Sequence, residues 1–357
     1  MMKKYNYCAG PAPLSPEVYQ KAAEALENFN DTGLSILEIS HRSDAFLSIL
    51  ADCNKWVLEL LSLENKGYQV LFLQGSASME FARVPLNLLK TQAGYIDTGV
   101  WAQKAINEAR KVGQVKIVAS SEDKNYSYIP QGYHLPEQMD YLHCTSNNTI
   151  YGTQMNNFPD TNAPLVCDMS SDIFSRKLDF SQFGLIYAGA QKNISTSGLS
   201  VVIIHESLLS ENVNIPNVLS YKQHFQHNGL YHTPPVFAVY LTWLNLQWLI
   251  QQGGVEAMEK INRQKATMLY QEIDNNYLFF GTAQKQDRSL MNVCFRLVDE
   301  NLSTQFDRFI ENKNITGIQG HRYVGGYRVS LYNAVTLSDV EYLITCLKEF
   351  ENEVDRR

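Results

Sequence analysis

Two side chains in this sequence have the types and the spacing needed for chemistry between an amine and a carbonyl. Lys192 stands in Tyr187-Ala-Gly-Ala-Gln-Lys-Asn193, just after a strand-like apolar run at Leu185. Small residues around a lone lysine let a bulky group approach the backbone. An amine at a partly desolvated strand end can lose its proton and attack an aldehyde to form a Schiff base. Read alone, the same stretch suits a solvated loop lysine better. Asp168 shifts that balance. It follows Leu165-Val-Cys167, so a carboxylate ends a buried strand about one strand–helix–strand step before Lys192. A pyridoxal cofactor needs such a partner, because the carboxylate keeps the ring nitrogen protonated and the cation then draws electrons from the substrate Cα. Taken singly, Asp168 serves equally well as a helix cap ahead of Met169-Ser-Ser171. The pair at neighbouring strand ends favours a cofactor site.

Other residues fit around that pair. Gly75-Ser-Ala-Ser-Met79 follows a strand and opens a helix, so the N–H groups near Ala77 and Ser78 suit an anion such as a phosphate. The glycines of a dinucleotide fingerprint are missing. Trp101, at the turn after Asp97-Thr-Gly-Val100, presents a flat indole that can stack on a ring or simply pack. Thr149 and Gln191 can hydrogen-bond a cofactor, or be ordinary loop residues. Two basic clusters stand out: Ser40-His41-Arg42-Ser43, and His321-Arg322 followed by Arg328. Each alone reads as a surface patch. Together they suit a substrate with an anion at each end, since arginine grips carboxylate and phosphate with a planar fork.

The elements that must position these groups are legible as apolar runs. Candidate strands are Tyr68–Leu73, Gly94–Asp97, Val115–Val118, Tyr141–Cys144, Leu165–Cys167, Leu185–Tyr187 and Leu199–Ile204, with helical spacing over Met79–Lys90. Short apolar runs separated by helices predict an α/β fold with a mainly parallel sheet between helices, whose ligands bind at the strand C-termini. Long helices are expected over Val236–Gln252 and Val255–Asn275. A smaller α+β layer should follow, with strands over Leu290–Leu297 and Tyr327–Tyr332 and helices over Thr304–Glu311 and Leu337–Phe350. The chain has 357 residues, 45% of them hydrophobic, which is enough for one large core or two domains sharing a cleft. A net charge of −7 without a long Lys/Arg run excludes a nucleic-acid footprint. No signal core follows the N-terminus and no run approaches a membrane span, so no membrane partner and a cytoplasmic location are expected. The six cysteines are scattered, which suits free buried thiols and no metal.

From Gly10-Pro11-Ala12 nearly to the C-terminus, the chain resembles the phosphoserine aminotransferases, class V members of the fold-type I pyridoxal-phosphate enzymes. The resemblance rests on Ile39-Ser-His-Arg42, Val84-Pro-Leu-Asn-Leu88, Asp97-Thr-Gly-Val-Trp101, Tyr187-Ala-Gly-Ala-Gln-Lys192, His232-Thr-Pro-Pro235 and, above all, the run from Gly320-His-Arg322 to Tyr332-Asn333. It implies a large cofactor domain over 15–255 with a seven-stranded sheet, and a small α+β domain over 256–357 with segment 1–14 packing nearby. It implies pyridoxal 5′-phosphate on Lys192, with Asp168 at the ring nitrogen and Trp101 on the ring. Thr149 and Gln191 match cofactor contacts, and Ala77 and Ser78 match the phosphate cup. A homodimer with shared active sites is implied, His232 and Thr233 reaching to the other subunit's cofactor phosphate. Arg328 is expected to grip the substrate α-carboxylate. His41 and Arg42, together with His321 and Arg322 from the neighbouring subunit, are expected to bind the distal phosphate or γ-carboxylate. The implied reaction passes an amino group from L-glutamate to 3-phosphohydroxypyruvate in serine biosynthesis. The phosphohydroxythreonine step of pyridoxine synthesis is left open. The chain departs from the family pattern at the Ser-Ala-Ser cup, at Glu80 in place of a common Gln, and at His232 in place of the usual Asn. A cysteine desulfurase, a nearby alternative, needs a mobile cysteine, and none of the six lies in an obvious exposed Gly/Ser-rich loop.

Overall fold

The computed structural model describes residues 3–210 and 214–355. Its largest sheet has seven strands: β1 (Tyr68–Gln74), β2 (Gln92–Asp97), β3 (Gln114–Ser120), β4 (Leu142–Thr145), β5 (Leu165–Asp168), β6 (Leu185–Gly189) and β7 (Leu199–His205). Each falls on a predicted apolar run. They lie in the order β1-β7-β6-β5-β4-β2-β3. All run parallel except β7, which is antiparallel to both β1 and β6. The runs are continuous because both faces are covered. One face, with Leu71, Tyr95, Val166, Tyr187 and Val202, shares a core with Phe81 of α3 (Ala77–Leu88), Ile106 of α4 (Val100–Ala109) and Tyr221 of α5 (Tyr221–Gln226). The other, with Phe72, Ile96, Cys167 and Ile186, packs with α1 (Pro16–Glu27), α2 (Asp44–Leu60) and α6 (Val236–Gln251).

Periodicity singles out neither α1 nor α2, yet both carry a serine N-cap: Ser15 accepts from the Val18 N–H and Ser43 from the Phe46 N–H. α7 (Gly254–Asn275) runs from one core into another. Val255 and Met258 belong to the sheet core, whereas Ala266, Leu269 and Ile273 belong to a second core. That second core covers an antiparallel sheet of β8 (Phe279–Gly281), β9 (Asn292–Leu297) and β10 (Tyr327–Ser330), with α8 (Ser303–Asn312) and α9 (Leu337–Asp355). Strand β10 stops two residues short of the predicted Tyr332. Its ladder ends at the Asn292–Ser330 pair, and the carbonyls of Leu331 and Tyr332 turn to the ammonium of Lys265 instead. At the N-terminus, Tyr5–Asn6 pairs in parallel with Ile315–Thr316, and Ala12 N–H then bonds to the Gln191 carbonyl. All six cysteines are free thiols. No helix among the described residues is long and apolar enough to cross a membrane.

Candidate active site

The C-terminal ends of β4, β5 and β6, the first turns of α3 and α4 and the N-terminal segment enclose a cavity of about 290 Å³. Lys192 enters it from the turn after β6, where the N–H groups of Lys192 and Ser195 both bond to Ala190 O, at 2.8 and 2.7 Å. Gly10 crosses close by: a Cβ there would lie 3.4 Å from Lys192 Cγ, and its φ of +136° favours glycine. The Lys192 amine touches the cavity but has protein on every side beyond it. Desolvation therefore pulls its pKa down to about 8, with the charge of Arg328 helping and that of Asp168 opposing.

Asp168 is the last residue of β5 and is nearly inaccessible. Its Oδ1 accepts from Ser170 N–H at 2.9 Å and Ser170 Oγ at 2.5 Å. The carboxylate thus closes a turn locally while it lines the cavity, so both sequence readings of Asp168 meet in one residue. Burial pushes its carboxyl up, against the opposing pull of Lys192 and Ser170.

Helix α3 opens onto the same space. Its N-cap residue, Ser76, makes no side-chain cap. The N–H groups of Ala77 and Ser78 therefore find no acceptor among the described residues, and the positive end of the helix dipole faces the cavity. A Cβ on Gly189 would come within 3.2 Å of Ala77 N, so glycine there keeps the cup open. Trp101, in the first turn of α4, donates from Nε1 to Thr149 Oγ1 at 2.9 Å, and its ring centroid lies 6.0 Å from Lys192 Nζ. Arg328, on β10, donates to Thr149 O at 3.1 Å, while its Nε is buried without a partner. Gln191 Oε1 and Thr145 Oγ1 are likewise buried and unpartnered. Buried polar atoms are rarely left so. An amine, a buried carboxylate, a free helix N-terminus, an indole face and several orphaned polar atoms fit a flat, phosphorylated aldehyde with a basic ring nitrogen.

Of the other predicted residues, His321, expected to come from a neighbouring subunit, lines the cavity of its own chain; burial, then Arg328, Arg322 and Lys104, favour its neutral form. Arg322 is exposed and lies over the Tyr323 ring at 5.2 Å. His41 and Arg42 sit on the turn that Ser43 caps at the start of α2, outside the lining. His232 and Thr233 lie past the end of β1. There Gln74 Nε2 donates to Thr233 O at 2.8 Å and the His232 ring meets that of His224 at 5.1 Å; neither lines the cavity. Sequence reasoning did not assign Ser170, Thr145, Asn147 or Gly10 to the site. Ser170 had a usable signal, two residues past a strand-end Asp, where an Asx-type turn is common. A larger cavity, about 640 Å³, lies beyond Arg328 between Glu122–Ser127 and Gly320–Tyr327. Neither Lys192 nor Asp168 lines it, so the amine chemistry resides in the smaller one.

The Aminotransferase class-V family model matches residues 4–343. A phosphoserine aminotransferase of Flavobacterium psychrophilum is 52% identical over 356 residues, covering 99% of this chain and 100% of its own. A phosphoserine aminotransferase structure concerned with radiation damage of its Schiff base matches with a TM-score of 0.97 at 43% identity, covering 99% of this chain and 100% of that one. The PLP-bound phosphoserine aminotransferase of Trichomonas vaginalis matches with a TM-score of 0.92 at 31% identity, covering 97% and 100%. With its fold, its cavity and these relatives in agreement, the chain belongs to the phosphoserine aminotransferase family of class-V aminotransferases and is a pyridoxal-phosphate-dependent transaminase.

Proposed function

We propose that this enzyme moves the amino group of L-glutamate to 3-phosphohydroxypyruvate, giving O-phospho-L-serine and 2-oxoglutarate. The observation that carries the reading is the single cavity shared by Lys192, Asp168, the open N-terminus of α3 and Arg328. When bound, pyridoxal phosphate supplies a protonated ring that stores the electron pair released at the substrate Cα. Lys192 would hold it by the aldehyde carbon. As a free amine, Lys192 Nζ would take the proton from the substrate Cα, a task suited to an amine whose pKa is about 8. Asp168 would keep the ring nitrogen protonated, and the bond from Ser170 holds its carboxylate in place. Ala77 and Ser78 would bind the phosphate through their N–H groups, with Gln191 nearby. Trp101 would stack on the ring, and Thr149, fixed by Trp101 Nε1, keeps its hydroxyl proton free to donate. Arg328 takes the α-carboxylate.

The distal anion needs a second group of cations. His321 is already in the chain's own cavity, whereas His41 and Arg42 are not, nor are His232 and Thr233, which the resemblance assigns to the cofactor phosphate. We infer that a homodimer brings these in across its interface. One distal site then serves a γ-carboxylate and a phosphate in turn, because Arg and His donors satisfy either. The test is a coupled assay with glutamate as donor and phosphohydroxypyruvate compared with oxo acids lacking a distal phosphate. Preference for phosphohydroxypyruvate is expected. Equal or better turnover of pyruvate or glyoxylate would refute the substrate assignment.

A further inference from the structure

A buried ammonium on α7 holds the loop that leaves the smaller sheet. α7 turns Asn262 and Lys265 onto one face, three residues apart, and both are fully buried. Lys265 Nζ donates to three main-chain carbonyls, those of Leu331, Tyr332 and Val335, each at 2.9 Å. Three acceptors match the three donors of a protonated amine, whereas a neutral amine has two. Desolvation pulls the pKa of this amine down to about 7 against the charge of Asp339. The carbonyl cage favours keeping the proton. A buried charge held only by carbonyls is costly, so the segment it grips calls for an explanation.

That segment, 331–335, leaves β10 directly after the strand that presents Arg328. It also reaches the turn bearing Lys192. Asn333 N–H donates to Asn193 Oδ1 at 3.0 Å, Asn333 Nδ2 donates to Phe174 O at 3.0 Å, and Asn262 Nδ2 donates to Asn333 Oδ1 at 2.9 Å. Asn193 is the residue after Lys192, and Asn245 Nδ2 holds its carbonyl at 2.8 Å. Tyr332 OH donates to Ala9 O at 2.9 Å, next to the Gly10 that packs on Lys192. One loop therefore follows Arg328 along the chain and contacts both flanks of Lys192.

We propose that Lys265, acting through the loop 331–335 and Asn333, is a positioning residue that fixes the Lys192 amine relative to the Arg328 guanidinium. The inference rests on the roles proposed above for those two groups. If Arg328 holds the α-carboxylate and Lys192 takes the Cα proton, their separation decides whether the proton is within reach. A misplacement of ~1 Å can cost ~100-fold in rate.

The test compares Lys265→Gln and Asn333→Ser with Ile310→Ala, a control on α8 in the same C-terminal core but outside the hydrogen bonds that hold the loop. All are studied as holoproteins well below their unfolding midpoints. The proposal expects both junction variants to lose ~10-fold or more in kcat/KM for glutamate, and to alter the visible circular dichroism of the bound cofactor. Ile310→Ala should melt early yet keep both properties. If Lys265→Gln and Asn333→Ser behave like that control, melting early with unchanged kinetics and dichroism, the junction is only structural and the proposal is overturned. Should Lys265→Gln not fold, Asn333→Ser decides alone. If the wild type itself fails to turn over glutamate, the proposed reaction falls, and the dichroism comparison still decides the positioning role.

Discussion

Lys192 combines two properties that single residues seldom share: contact with a cavity and a surrounding that disfavours its charge. The attacking species is the free amine, whose fraction rises with pH and levels off above the pKa. With that value near 8, borohydride trapping of pyridoxal phosphate on the apo protein should climb through pH 8 at Lys192 and then plateau. Trapping at surface lysines should keep rising toward ~10.4, the ordinary lysine value. Peptide mass mapping across pH 6–11 checks this; a Lys192 profile that tracks the surface lysines would show that the site does not depress its pKa. Asp168 makes the complementary claim. Asp168→Asn keeps the shape and the Ser170 contact but removes the charge that holds the ring nitrogen protonated. It should retain bound cofactor while kcat falls ~10²-fold or more, in the range for loss of a preorganised electrostatic partner. Retained turnover with stoichiometric cofactor would mean the carboxylate only closes its turn.

The helix α3 offers a test at the scale of an element, because its N-terminus has two opposed demands. An anion near Ala77 and Ser78 is favourable whether it comes from a ligand or a side chain. Ser78→Glu should therefore leave thermal stability of the apo protein unchanged or raise it, by ~0.3–1 kcal/mol. The same carboxylate should repel the cofactor phosphate and weaken its binding ~10-fold or more, a change of ~1.4 kcal/mol. Fluorescence titration of the apo protein with pyridoxal phosphate, alongside a melting curve, reads both. Unchanged affinity would place the phosphate elsewhere. The neighbouring helix α4 is more tightly constrained. Its N-cap Gly99 has φ +134°, and a Cβ there would lie 2.6 Å from Asn148 Nδ2 and from the Tyr151 ring, so the turn that aims Trp101 tolerates no side chain without movement.

At the scale of the whole molecule, one chain leaves the proposed distal site incomplete. His41 and Arg42 lie on the turn before α2, outside the Lys192 cavity, as do His232 and Thr233, assigned to the cofactor phosphate, beside the C-terminal end of β1. Arg42→Ala should weaken phosphohydroxypyruvate far more than an oxo acid without a distal anion, as measured by kcat/KM for each. Mixing then locates the arginine. Hybrids of a Lys192→Ala chain with an Arg42→Ala chain contain one intact site if Arg42 acts across the interface, and should turn over phosphohydroxypyruvate faster than either parent. If Arg42 serves its own chain, no site is intact and the hybrids gain nothing over the Arg42→Ala parent.

Much of this was legible in the sequence, and for a definite reason. Strands covered on both faces are written as unbroken apolar runs, so all seven strands of the large sheet and the buried helix α6 could be marked without coordinates. Residues at strand ends inherit their place from those runs, which made Lys192 and Asp168 readable as a pair. Direction is not written that way. The apolar run of β7 would suit either orientation, and only its neighbours decided that it runs antiparallel. Partners distant in sequence were equally hidden. Nothing near Lys265 marks it as buried, since a lysine in an amphipathic helix ordinarily faces water; its role came from three carbonyls more than sixty residues on. Periodicity reports how much of an element is covered. What covers it, and which carbonyls or cavities a polar side chain meets there, is settled only when the chain closes on itself.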